Sequence, residues 1–235
     1  MKQQLITLAS VLALASPLIH AEDLAGRSEQ AAVRTQPVDA VTRAAAERLA
    51  VHTCAICHGV QGRSVSPKFP VLAGQHADYV VAQLRAFKSQ SRADPDALGF
   101  MWGMAAPLDD GMMTALADYY SRQSPAAGAS EDRARIARGR ELYLNGDNAR
   151  GIAPCAACHG PLAAGSPAYP RLAGQHASYL MKQMRSFQDN LRSADSMRAA
   201  MNGLTGSDME AVAGYLQSLG PETSIDMASA RRAAM

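Results

Sequence analysis

Cys54-Ala55-Ile56-Cys57-His58 reads C-x-x-C-H, and the pattern returns as Cys155-Ala156-Ala157-Cys158-His159. C-x-x-C-H is the attachment signature of c-type haem. Two thiols a helical turn apart can add across the two vinyl groups of one porphyrin, and the next residue, histidine, then lies under the iron as its proximal ligand. The two motifs use all 4 cysteines of the chain. Two structural disulfides would use as many, but they give no reason for a histidine directly after each pair. A redox-active dithiol or half of a zinc site is a further use of C-x-x-C. Duplication in matched surroundings weighs against both.

The surroundings do match. Ser66-Pro67-Lys68-Phe69-Pro70-Val71-Leu72-Ala73-Gly74-Gln75-His76-Ala77-Asp78-Tyr79 recurs as Ser166-Pro167-Ala168-Tyr169-Pro170-Arg171-Leu172-Ala173-Gly174-Gln175-His176-Ala177-Ser178-Tyr179. Such self-similarity marks an internal repeat. Each copy opens a helical run, marked by Val80, Leu84 and Phe87 in one and Leu180, Met184 and Phe187 in the other, at spacings of four and three. A last helix follows Leu108 and Leu204, with Met113, Leu116 and Tyr119 matched by Met209, Val212 and Tyr215. No run alternates as a strand would. The fold class is therefore all-α: two tandem helical domains, 41–123 and 131–220, each wrapped around one covalently bound haem. A small-residue linker, 124–130, joins them.

Composition agrees. Hydrophobic residues make up 48% and charged residues 19% of the 235, which is globular, but aromatics are only 5%. Side chains alone give two small domains a thin core, and a buried porphyrin in each supplies apolar bulk. A net charge of +2 gives no case for a nucleic-acid partner. Residues 1–21 read as a secretory signal, with Lys2 at the start, an apolar stretch from Leu5 to Leu18, and cleavage near Ala21. Ser10, Ser16 and Pro17 break that stretch below spanning length. The competing reading is an uncleaved anchor. Export to the periplasm suits the motif, because c-type haem is attached outside the bacterial cytoplasm. Residues 22–40 read as a flexible arm and 221–235 as a disordered tail.

What fills the sixth iron position decides the function: methionine gives a six-coordinate electron carrier, an open position invites small molecules or peroxide. The repeat selects among 12 methionines. Met101 and Met197 stand the same distance before Leu108 and Leu204, on what reads as a loop able to fold over the haem face. Met104 and Met201 have no repeat partner. Met113 and Met209 recur on an apolar helical face and read as core. His76 and His176 form the rival pair, for bis-histidine ligation. Their place at a helix start favours exposed first-turn residues instead. His52 is unpaired and reads as surface. The carbonyls of Pro70 and Pro170 are placed to accept the proximal imidazole N–H, although a plain turn proline explains them as well.

With two C-x-x-C-H motifs, two F/Y-P-x-L-A-G-Q segments and two matched methionines, residues 41–220 resemble the dihaem cytochrome c4 family. The added Asn145–Pro154 stretch before Cys155 is shared with it. The resemblance implies two cytochrome c-like domains related by a pseudo-twofold axis, with haem propionates approaching each other at the interface. It also implies one c-type haem held by Cys54, Cys57, His58 and Met101, and the other by Cys155, Cys158, His159 and Met197. It implies that Pro70 and Pro170 support the proximal histidines. One departure is Ala46 in the first half, where the second has Gly139 at the close helix crossing, which predicts a wider crossing in domain one. The function implied is a non-enzymatic periplasmic carrier of single electrons. Its donor would be a quinol-oxidising complex and its acceptor a terminal oxidase or another periplasmic protein, and transient membrane-surface association is compatible with that role. The alternatives are a dihaem peroxidase-like enzyme and the electron-transfer subunit of a periplasmic dehydrogenase.

Overall fold

A computed structural model describes residues 38–129 and 132–221. The signal segment, nearly all of the arm and the tail beyond Pro221 lie outside the described residues. In the first half, α1 (Ala40–Leu49) starts where the Asp39 carboxylate accepts the Thr42 N–H at 2.8 Å, a standard N-cap. It runs on into a π-helical turn, Ala50–Cys54, and α2 (Ala55–His58). Then come α3 (Ala77–Lys88), a second π-helical turn at Ala97–Met101, α4 (Trp102–Ala105) and α5 (Asp110–Ser121). The second half repeats the order with α6 (Arg133–Asn145), α7 (Ala156–His159), α8 (Ala177–Gln188), α9 (Asp195–Met201) and α10 (Gly206–Ser218). Among the described residues there is no strand, only isolated bridges.

In each half the first helix packs against the last, α1 on α5 and α6 on α10. The second crossing is the tighter. A Cβ added at Gly139 would fall 1.9 Å from the Ala211 carbonyl oxygen, so only glycine permits that approach. The matching Ala46 is fully buried with its methyl in place, and a crossing that admits a methyl is wider, as expected. The extra stretch before Cys155 is tied down by Arg150, which donates to Asp147 at 2.8 Å and to Asp208 at 2.7 Å. Asp208 in turn completes a capping box with Thr205 at the start of α10.

The halves are joined by the repeated segment itself. Gln75 accepts the Arg171 N–H at 2.8 Å and donates to the Arg171 carbonyl at 2.9 Å. Gln175 makes the same two bonds with Val71, both at 2.9 Å. His76 Nε2 lies 3.0 Å from the Ala164 carbonyl oxygen and His176 Nε2 lies 2.9 Å from that of Ser64. Arg92 and Arg192 meet in an antiparallel bridge and reach across to Gln183 and Tyr179, and to Gln83 and Tyr79. Each guanidinium also stacks 4.6 Å from the ring centre of its own half's Phe87 or Phe187.

Candidate haem sites

The proximal histidines are positioned alike. His58 ends α2 and His159 ends α7, and each is followed by a glycine at positive φ, 74° at Gly59 and 75° at Gly160. That left-handed turn sends the chain back towards the F/Y-P segment. His58 Nδ1 then meets the Pro70 carbonyl at 2.9 Å, and His159 Nδ1 that of Pro170 at 3.0 Å. A carbonyl only accepts, so Nδ1 carries the proton and Nε2 presents its lone pair. Burial pushes both imidazoles below their ordinary pKa, which keeps that lone pair free. Phe69 and Tyr169 brace the two rings edge-on, at 6.2 and 6.0 Å between centroids.

None of the four cysteines is tied up in a disulfide, which leaves each pair to the porphyrin. His159 is only 4% exposed, and its Nε2 is buried with no hydrogen-bond partner among the described residues. A buried lone pair with nothing to accept is what an iron ligand requires. Among the described residues no three His, Cys, Asp or Glu side chains converge as a metal cluster, so the zinc reading finds no ligand set. The residues present fit a c-type haem in each half.

Met101 and Met197 are both half-buried. Neither lies on a loop, contrary to the sequence reading: Met101 closes the π-helical turn and Met197 sits within α9. Asp195–Met201 carries two alanines and two methionines, which favour helix. Cys155 and Met197 pack against one continuous core. Cys54 and Met101 pack against separate clusters, and Leu84 touches both. Met113 and Met209 are core residues, and His52 is exposed. His76 and His176 require a correction. They are half-buried rather than exposed, because each ring faces a carbonyl of the other half. That contact occupies Nε2 and opposes the bis-histidine alternative. Gln75, Gln175, Arg92 and Arg192 were given no role from sequence, although recurrence at matched positions was the available signal.

The cytochrome c family model matches this chain twice, over 44–123 and 136–220. Cytochrome c4 of Thiocapsa roseopersicina is 39% identical over 181 residues, covering 74% of this chain and 91% of that one. The chain belongs to the cytochrome c4 family. It is a dihaem electron-transfer cytochrome with two covalently attached c-type haems, and members of this family are carriers rather than enzymes. The solved cytochrome c4 structure of Acidithiobacillus ferrooxidans superposes with a TM-score of 0.67 at 38% identity, covering 71% of this chain and 98% of that one. A thiosulfate dehydrogenase electron acceptor of Thiomonas intermedia is 36% identical, covering 73% of this chain and 82% of that protein.

Proposed function

We propose that this cytochrome c4 relays single electrons in the periplasm with both haems His/Met ligated: His58 and Met101 on one iron, His159 and Met197 on the other. Cys54 and Cys57 anchor the first haem, Cys155 and Cys158 the second. When bound, each haem iron supplies a one-electron ferric/ferrous couple. The observation that carries the reading is the pair of buried histidines whose Nδ1–H is held by a proline carbonyl, with Nε2 of His159 buried and without a partner among the described residues. That hydrogen bond fixes the ring and strengthens it as a donor. Met101 and Met197 come from helical segments packed on the core, which suits ligands that hold still as the charge changes. Among the described residues no helix is long and apolar enough to cross a membrane.

The donor proposed is a quinol-oxidising complex and the acceptor a terminal oxidase. A second reading, electron acceptor of a periplasmic dehydrogenase, is favoured by the likeness to the Thiomonas intermedia protein. A redox titration followed by optical spectra tests the ligation. Two low-spin covalent haems are expected, with Met101→Ala and Met197→Ala each converting one haem to a high-spin, lower-potential form. Unchanged spectra in both variants would overturn the methionine assignment. Stopped-flow reduction by a quinol-oxidising complex or by a thiosulfate dehydrogenase separates the two donors.

A further inference from the structure

Val71 and Arg171 occupy the same repeat position, one residue after the prolines that hold the two histidines. Their main chains do the same work, each gripped by the other half's glutamine. Their side chains differ in kind. Val71 is a buried apolar residue. Arg171 brings a guanidinium to the equivalent place, and its Nε and Nη2 are buried with no hydrogen-bond partner among the described residues. The other two arginines of this interface show what a satisfied buried guanidinium looks like: Arg92 and Arg192 both have glutamine and tyrosine acceptors, and Arg92 a carboxylate as well. A buried charge without acceptors is costly, and such groups are found paired.

Arg171 as a whole is half-buried, and an anion at the proximal side of the second half would complete the pairing of its buried Nε and Nη2. Haem carries two carboxylates, and Arg171 adjoins the Pro170 carbonyl that holds His159. We propose that Arg171 binds a carboxylate of the haem on Cys155 and Cys158, and that valine at the matching position of the first half leaves the two reduction potentials apart, the second haem's being the higher. A ferric centre carries one more positive charge than a ferrous one, so an unpaired carboxylate nearby favours ferric. A guanidinium cancels that preference, and it does so strongly where water is excluded. The proposal depends on the two covalent haems and not on which residue fills the sixth position.

Arg171→Gln keeps length and N–H donors while removing the charge; Arg171→Lys keeps the charge. Redox titration of the purified holoprotein should show Arg171→Gln lowering the higher of the two potentials. The expected change is about tenfold in that haem's ferrous-to-ferric ratio, about 59 mV for a one-electron couple, with the lower potential nearly unmoved. Arg171→Lys should retain most of the separation. Equal shifts of both haems, a shift of the lower one alone, or no shift would overturn the proposal. If Arg171→Gln fails to retain haem, Val71→Arg decides: it should raise the lower potential and narrow the gap, and an unaltered gap counts against the idea.

Discussion

Gln75 and Gln175 each clasp one residue of the opposite half by both main-chain groups, Gln75 at Arg171 and Gln175 at Val71. Both carboxamides are buried, and the clasp at Val71 satisfies a main-chain N–H and C=O in a buried place. The clasped residues follow Pro70 and Pro170, whose carbonyls orient His58 and His159. The joint between the halves and the support of the two proximal ligands are therefore the same few residues. In a two-centre electron relay this fixes the spacing of the centres.

Gln175→Ala should loosen that joint. It strands the Val71 N–H and C=O in a buried place, at a cost of about 1–3 kcal/mol for a group left unsatisfied. The expected signature in calorimetry is a lower, broader transition that separates into two in the Gln75→Ala/Gln175→Ala double variant. A double variant that still unfolds as one sharp transition at the wild-type temperature would contradict the clasp.

Asp94 is the counter-charge of Arg92. Arg92 donates to it at 2.8 Å, and the two side chains are 5% and 4% exposed. At the matching place beside Arg192 stands Ala194, so of the two guanidiniums Arg92 alone is paired with a carboxylate among the described residues. Asp94→Asn leaves Arg92 without a carboxylate among the described residues, and should cost about 3–5 kcal/mol in denaturant unfolding. Asp110→Asn, which breaks the exposed pair with Arg85, should cost at most about 1 kcal/mol. Equal effects would refute the view that the buried cluster holds the interface.

How much of this was legible in the sequence depends on the kind of residue. Cys54 to His58 and their second copies were legible because attachment chemistry demands that spacing. The long helices were legible because Val80, Leu84 and Phe87 span two turns of one face. The turn ending at Met101 was not, since five residues are too few to display a period and nothing in their identity marks a π-helical hydrogen bond. Gln75 and His76 failed for another reason. A repeat shows that two positions share an environment, but not that the environment of each is the other copy. A polar residue at a helix start then reads as facing water, when here it faces a carbonyl of its twin domain.

Acid should act through Asp208. Hydrogen bonds from Arg150, then from the Thr205 backbone and hydroxyl, hold its carboxyl far below the ordinary carboxylate range against the opposing effect of burial. A carboxylate whose pKa is depressed on folding adds stability above its unfolded pKa, about 3.9, and loses that stability as pH falls towards the folded value. Asp208→Asn should therefore be less stable than wild type by about 2 kcal/mol at neutral pH. The difference should shrink steadily as pH falls through the carboxylate range from about 4 to 2. A pH-independent difference would mean that Asp208 acts as a neutral cap and nothing more.

The last test concerns the helix crossing that frames the second haem. A Cβ at Gly139 meets main chain, 1.9 Å from the Ala211 oxygen and 2.5 Å from its carbonyl carbon, with Tyr215 Cβ at 2.9 Å. Backbone cannot rotate aside as a side-chain tip can, so α6 and α10 would have to separate. Ala is the better helix former by about 1 kcal/mol, yet Gly139→Ala should destabilise by about 1–3 kcal/mol, because overpacking outweighs propensity. Gly206→Ala is the control: nothing lies within 4 Å of its Cβ, so it should be neutral or stabilising by up to about 1 kcal/mol. The separation would also move Tyr143, whose hydroxyl donates to the Gly160 carbonyl directly after His159. Gly139→Ala should thus perturb the spectrum of one haem and leave the other unchanged, and a variant that is stable with both spectra intact would show that the close crossing is dispensable.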